Sequence, residues 1–206
     1  MPFFAHLDAE FVVVNKPAGL LSVPGRGPER ADCAWARVRQ LATDALVVHR
    51  LDMATSGLLL FARGAAMQRA LSMAFAARAV DKRYEALVHG SPEAGAGEIA
   101  LPLSADWPRR PRQKVDRTGG KPSLTRWRVL AREGACSRLW LEPVTGRSHQ
   151  LRVHLAAMGW PIVGDTLYDD AARAASAPRL MLHACELALA HPLHGRRLHW
   201  RSPAPF

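Results

Sequence analysis

Asp52 is the one carboxylate in the run His49-Arg50-Leu51-Asp52-Met53-Ala54-Thr55-Ser56-Gly57, and it lies two residues after Arg50 in an otherwise apolar setting. For an isolated Asp the plainer reading is a structural ion pair or a turn cap. Two further segments change the weighting. Asp81-Lys82-Arg83-Tyr84-Glu85-Ala86-Leu87-Val88 sets an aromatic phenol among charges, although by itself it reads as a half-buried strand with a core Tyr. Gly146-Arg147-Ser148-His149-Gln150-Leu151-Arg152-Val153-His154 gathers Arg147, His149 and Arg152. They fall within about one and a half turns of a helix. That is an anion-facing helix start, with Gly146 letting the backbone approach closely. Its plainer reading is a solvated basic face.

Other chemistries fit poorly. Gly25-Arg26-Gly27-Pro28-Glu29-Arg30 opens like a dinucleotide fingerprint, but Arg replaces the third Gly and no strand leads directly into it. Gly119-Gly120-Lys121-Pro122-Ser123 lacks the upstream Gly of a phosphate loop, and Pro122 separates the Lys from the Ser. No G-x-S-x-G surrounds Ser56, so it is a poor hydrolase nucleophile. His149 and His154 are five apart, where one helical face needs three or four. Cys33, Cys136 and Cys185 are odd in number and widely spaced, which argues against a disulfide framework and a zinc ribbon. No metal is expected, and a reducing cytosol suits the thiols.

The elements that must position these segments are read from pattern. Phe11-Val12-Val13-Val14-Asn15 predicts a buried strand, followed by a turn at Lys16-Pro17-Ala18-Gly19. Glu29 to Leu41 reads as a short helix, and Leu46 to His49 and Leu58 to Ala62 as strands, so the Asp52 run is a loop between two strands. Ala65 to Val80 is Ala-, Met- and Leu-rich without Pro or Gly and predicts a helix. Arg83 to His89 reads as a strand, and Gly95 to Leu103 as a loop leading into a short strand. Trp107 to Pro122 carries three Pro, two Gly and six Lys or Arg, and reads as an exposed basic loop. Leu124 to Ala131 and Arg138 to Glu142 predict a hairpin, His149 to Met158 a helix ended by Gly159, and Leu180 to Ala190 and Arg197 to Arg201 strands. The order is mixed, without regular alternation of strand and helix, so the fold class is α+β.

Bulk properties set the partner class. The 206 residues suit one domain, and 49% hydrophobic against 22% charged is an ordinary folded balance. Lys and Arg number 28 against 18 Asp and Glu, a net charge of +10. A surplus of that size favours a polyanion, nucleic acid first and an anionic membrane second, because each phosphate neutralised releases a counterion. The longest apolar runs fall far short of the ~20 residues that span a bilayer. No basic region followed by an apolar one opens the chain, so secretion is not expected.

Together the segments resemble the RluA family of RNA pseudouridine synthases. H-R-L-D-x-x-T-S-G is complete at 49–57, K-x-Y stands at Lys82-Arg83-Tyr84, and G-R-x-H-Q-L-R-x-H is complete at 146–154. Pro161-Ile162-Val163-Gly164-Asp165, Val14-Asn15-Lys16-Pro17-Ala18-Gly19-Leu20 and Leu182-His183-Ala184 also match, so the resemblance runs from about Phe11 to Pro203. The short length and Asp106 to Val115 look closest to the member acting on both tRNA and 23S rRNA. The resemblance implies a mixed, largely antiparallel central β-sheet with flanking helices and loops. It implies a single catalytic domain over 1–206, with two lobes around a central cleft and no S4 RNA-binding domain. The implied activity is isomerisation of specific uridines in structured RNA, without cofactor, by a cytoplasmic monomer.

The resemblance also assigns roles. Asp52 is the catalytic carboxylate, acting on the sugar or the base. Arg152 is its charge partner, keeping it ionised and oriented. Tyr84 stacks on the target base. Arg50 fills the space left when that base is extruded. His49, Thr55, Arg147, His149, Gln150 and Lys114 are expected to contact RNA, with the basic loop gripping phosphates. Two rivals stand beside this reading. A passive RNA-binding protein of the same fold would be expected to have lost Asp52 or Tyr84. A nuclease or glycosidase needs a second carboxylate or metal ligands, and the three segments offer only Asp81 and Glu85.

Overall fold

The computed structural model describes residues 2–206. In chain order the elements are β1 (Phe4–Leu7), β2 (Phe11–Lys16), α1 (Ala34–Arg39), β3 (Ala45–Val47), β4 (Ser56–Arg63), α2 (Gly64–Ala76), β5 (Val80–His89), β6 (Ala96–Ile99), β7 (Leu103–Ala105), β8 (Gln113–Val115), β9 (Thr125–Glu133), β10 (Cys136–Pro143), α3 (Gln150–Ala157), α4 (Ala171–Ala174), β11 (Leu182–Ala190) and β12 (Arg197–Arg201). The class is α+β, with mostly antiparallel pairing and few helices. The residues form two compact units. The first runs to Lys82 and resumes over His183–Pro205; the second is Arg83–Leu182 with Phe206.

In the first unit β2 and β4 pair antiparallel, with Val13 opposite Leu60 and Lys16 opposite Gly57. β1 extends this ladder beyond β2, β3 pairs with β4, and β12 pairs with β11. β11 pairs parallel with β4, which sets His183 beside Ser56 and Ala184 beside Gly57. Phe11 to Val14 and Leu58 to Ala62 are buried throughout, as unbroken apolar runs require of strands covered on both faces. One face (Phe11, Val13, Leu58, Leu60, Ala62) meets Met67 and Leu71 of α2 together with Leu187 and Leu189 of β11. Burying side chains of this size contributes roughly 1.5–3 kcal/mol each. The strands that flank the Asp52 loop are therefore its rigid support.

In the second unit β5, β10, β9 and β6 form an antiparallel run, with Tyr84 opposite Leu141. β7 and β8 make a separate two-stranded ladder. α3 packs against β8, β9 and β10. The β9–β10 hairpin turns at Gly134, whose φ of 63° suits a residue without Cβ.

Four expectations are corrected. The single helix over Glu29 to Leu41 is a 3-10 turn at Pro28–Arg30 and then the short α1, because Cys33 bridges to Leu21 and caps α1 through its sulfur. The helix expected to reach Val80 ends at Ala76. Arg78 turns left-handed at φ 59°, and Ala79 N–H closes onto Ala74 C=O, a glycine-type stop made without glycine. The stretch Gly95 to Leu103 holds β6, where a Cβ on Gly97 would come 3.0 Å from the Trp127 ring. The basic loop contains a 3-10 turn and β8, so it is an ordered excursion.

Candidate active site

In the first unit the run 49–57 links β3 to β4, and polar groups from outside the run hold it. Ser22 Oγ donates to Leu51 C=O (2.7 Å) and accepts from Leu51 N–H (3.0 Å), so both backbone groups beside Asp52 are engaged. Lys16 is fully buried, and its Nζ donates to the carbonyls of Pro17, Leu20 and Met53 at 3.0, 2.7 and 3.1 Å. Gly19 N–H also reaches Met53 C=O, at 2.8 Å. Asp52 C=O accepts from Thr55 N–H at 3.1 Å, closing a tight turn. Backbone on both sides of Asp52 is thereby fixed, while its side chain stays half-buried. Arg50 and Met53 beside it are exposed, and Thr55 is buried.

The ends of the run are locked as well. His49 Nε2 accepts from Leu60 N–H at 3.0 Å, and its ring stacks on Phe75 with centroids 4.5 Å apart. Burial, and then the charge of Lys82, hold its pKa down at about 3, so His49 is a neutral acceptor at ordinary pH. Ser56 Oγ bonds His183 Nδ1 at 2.8 Å, and His183 Nε2 lies 3.0 Å from Ser202 Oγ. Gly57 has φ 112°, and a Cβ there would fall 2.3 Å from Ala184 C=O, so the final glycine of the motif is required by contact with β11.

In the second unit Arg152 is only 4% exposed, and Asp165 holds it bidentate, through Nε at 2.8 Å and Nη2 at 2.6 Å. Asp165 is itself 1% exposed, and its Oδ1 also accepts from the N–H groups of Leu167 and Tyr168. Such a fork fixes the plane of the guanidinium. The Tyr168 ring lies 5.1 Å from Arg152 Cζ. Tyr168 OH accepts from Gln113 N–H and lies 2.6 Å from His149 Nδ1, which ties β8 to the start of α3.

His149 precedes α3 in a left-handed conformation, φ 53°, so it is the cap and not the first helical residue. A non-glycine residue in that region is uncommon. Gln150 is buried at 3% and bonds inward at both ends: Oε1 accepts from Thr145 Oγ1 and Arg147 N–H, and Nε2 donates to Leu124 C=O and Thr125 Oγ1. His154 is fully buried between Thr125 Oγ1 and Leu101 C=O, with its pKa lowered by burial. The reading of 146–154 as a solvated basic face does not describe Gln150, Arg152 or His154, which are buried. Arg147 and Lys114 are exposed, and Tyr84 is half-buried on β5.

The expected site residues thus divide by unit. His49, Arg50, Asp52 and Thr55 belong to the first; Tyr84, Lys114, Arg147, His149, Gln150 and Arg152 to the second. Sequence reading gave no role to Lys16, Ser22, His183, Asp165 or Tyr168. Lys16, His183 and Asp165 lie inside quoted motif segments, which was the available signal. Glu10, His191 and His194 are the one group among the described residues that brings three metal-ligating side chains together. However, His191 Nδ1 accepts from the N–H groups of Leu193 and His194 while Nε2 meets Glu10 Oε2 at 2.7 Å. These bonds put the proton on Nε2, and the cluster serves to clamp the β11–β12 turn. Among the described residues no helix is long and apolar enough to cross a membrane.

Comparison with known proteins bears directly on these segments. The family model described as RNA pseudouridylate synthase matches residues 10–157. A Vibrio cholerae protein named dual-specificity RNA pseudouridine synthase RluA is 51% identical over 193 residues, spanning 94% of this chain and 77% of that one. An Escherichia coli protein of the same name is 46% identical over 202 residues, spanning 98% and 92%. The solved structure of human RNA pseudouridylate synthase domain containing 1 matches with a TM-score of 0.83 at 29% identity, over 100% of this chain and 84% of that one.

Proposed function

The chain belongs to the RNA pseudouridylate synthase family, and from that premise we propose that it isomerises specific uridines in structured RNA, with Asp52 as the catalytic carboxylate. The enzyme class is that of its relatives, an RNA pseudouridine synthase. The observation that carries the assignment of Asp52 is its setting: a half-buried carboxylate on a loop whose flanking backbone is bonded by Ser22, Lys16 and Gly19. A loop built only to connect β3 to β4 has no need of a buried ammonium.

The reaction breaks the bond from ribose C1′ to uracil N1, turns the base, and joins C5 to C1′. C5 gives up its proton and N1 gains one, so nothing is oxidised or reduced and the residues named here suffice. One carboxylate can serve by attacking C1′, by adding to the base, or by taking the 2′ proton, and each route requires it ionised. Arg152 is the cation this reading assigns to keeping that state, and Asp165 fixes the plane of its guanidinium. Tyr84 offers its ring to the uracil, and Arg50, exposed two residues before Asp52, occupies the space the extruded base leaves. Arg147 and Lys114 contact phosphate. His49, Thr55, His149 and Gln150 act from behind these groups, holding the loop and the start of α3. The chain is read as a single catalytic domain that acts in the cytosol as a monomer. The substrates are stem-loops of tRNA, 23S rRNA or both, where unstacked bases are least costly to extrude.

Asp52→Asn tests the assignment. Loss of C5 hydrogen release from labelled RNA by at least about 10³-fold, with RNA binding retained, is the expected outcome, in line with removal of an essential catalytic group. Full activity in that variant removes Asp52 from the reaction. Cleaved RNA would instead mark a nuclease. Arg50→Ala should lose more turnover on a folded stem-loop than on a short flexible RNA, and equal losses would count against a base-displacing role.

A further inference from the structure

We propose that Trp107 is a base-stacking contact for single-stranded RNA outside the target uridine, held ready on one face by Arg110. This rests on the reading that RNA is the substrate and adds a recognition residue to it. Among the described residues, Trp107 is the only aromatic of the large hydrophobic side chains that stand exposed, at 67%. The others are Leu or Met, the ordinary scatter of a protein surface. The Arg110 guanidinium carbon lies 3.5 Å from the indole ring centroid, so one face of the ring is covered by a cation and the exposed area belongs to the remainder.

The surroundings separate this indole from a chance surface residue. Trp107 opens a 3-10 turn that is closed three times over: Arg109 N–H to Asp106 C=O at 3.0 Å, Arg112 N–H to Arg109 C=O at 2.9 Å, and Asp106 N–H to Arg112 C=O at 3.0 Å. The buried Asp106 carboxylate also holds Arg109 Nε at 2.7 Å. The ring therefore stands on ordered backbone and loses little freedom on binding. Arg109, Arg110 and Lys114 are exposed along the same short stretch. Cations alone suffice to grip phosphate. An indole among them adds a flat apolar surface, and a flat surface beside a positive groove is what unpaired bases stack on. A duplex offers no base face, so the chemistry points to a loop or a strand end. Stacking is tolerant of base identity, which makes Trp107 a sensor of unpaired structure.

The test uses the full chain and an RNA stem-loop in which the wild type forms pseudouridine. KM and kcat for C5 hydrogen release are measured for wild type, Trp107→Ala and Trp107→Phe, with single abasic nucleotides placed in turn around the loop outside the target. Trp107→Ala should raise KM about tenfold with kcat within about twofold, as loss of one stacked base implies, and Trp107→Phe should recover most of the loss. One abasic position should raise KM for the wild type and have no further effect on Trp107→Ala. An unchanged KM in Trp107→Ala, a Phe variant as poor as Ala, or an abasic scan of the wild type without a sensitive position overturns the proposal while the enzyme's activity stands. A wild type that forms no pseudouridine in any RNA overturns the underlying reading instead.

Discussion

Around Asp52 the holding contacts are made to main chain. Ser22 takes both polar groups of Leu51, Lys16 and Gly19 take the carbonyl of Met53, and Leu60 N–H engages His49. Around Arg152 they are made between side chains. A buried carboxylate faces a buried guanidinium through two bonds, with Tyr168 packed beside the cation. The first arrangement fixes the backbone of a loop. The second fixes one side chain and engages its charge. Changes at the reacting residue and changes at its supports should therefore separate cleanly in the first unit and merge in the second.

The largest effect on stability is expected where a buried charge loses its partner. Asp165→Asn keeps the shape but removes the carboxylate from a guanidinium that is 4% exposed. Breaking a pair of this kind costs about 3–5 kcal/mol. Urea denaturation should show that loss, together with loss of activity. Asp52→Asn, on a half-buried side chain, should cost less stability than Asp165→Asn, whose carboxylate is 1% exposed. Equal stability losses in the two variants would end the contrast between the regions.

Ser22→Ala sharpens it from the other side. Its hydroxyl is buried and is both donor and acceptor to Leu51. Leaving those backbone groups unmet should cost about 1–3 kcal/mol. The loop would then hold Asp52 less well, so kcat should fall more than KM, although Ser22 touches no substrate. An unaltered kcat alongside the stability loss would show that loop rigidity is separable from turnover.

What could be read beforehand follows from the same division. β2 and β4 were legible because unbroken apolar runs between turn residues have one stable outcome. The Asp52 run was legible as a loop because strand-like segments bound it on both sides. Its supports were not: Ser22 lies 29 residues before Leu51 and His183 lies 127 after Ser56, and nothing local links them. Asp165 sat in view within Pro161 to Asp165, but only the fold brings it to Arg152, 13 residues earlier. Gln150 was expected to contact RNA, yet it is buried, and Thr145, Leu124 and Thr125 supply partners for its amide. Helix ends misled where the stop signal was missing. Arg78 adopts the conformation that glycine usually marks.

The most selective expected effect concerns pH. His49 accepts from Leu60 N–H and is held at about 3, far below its ordinary 6.5, by burial and then by Lys82. In the unfolded chain the same imidazole takes a proton below about 6.5. Between those values the unfolded state binds the proton that the folded state refuses. The stabilisation is therefore complete above pH 6.5 and is lost progressively as pH falls toward about 3. His49→Gln keeps a carbonyl that can accept from Leu60 N–H but removes the titration. Its urea midpoint should fall less steeply than the wild type's between pH 6.5 and 4, with the two curves converging toward acid. Parallel curves would mean that His49 takes up its proton without disturbing the loop. The backbone clamp around Asp52 would then not depend on a neutral imidazole, and its rigidity would rest on Lys16, Ser22 and the bonds from Gly19 and Thr55 N–H.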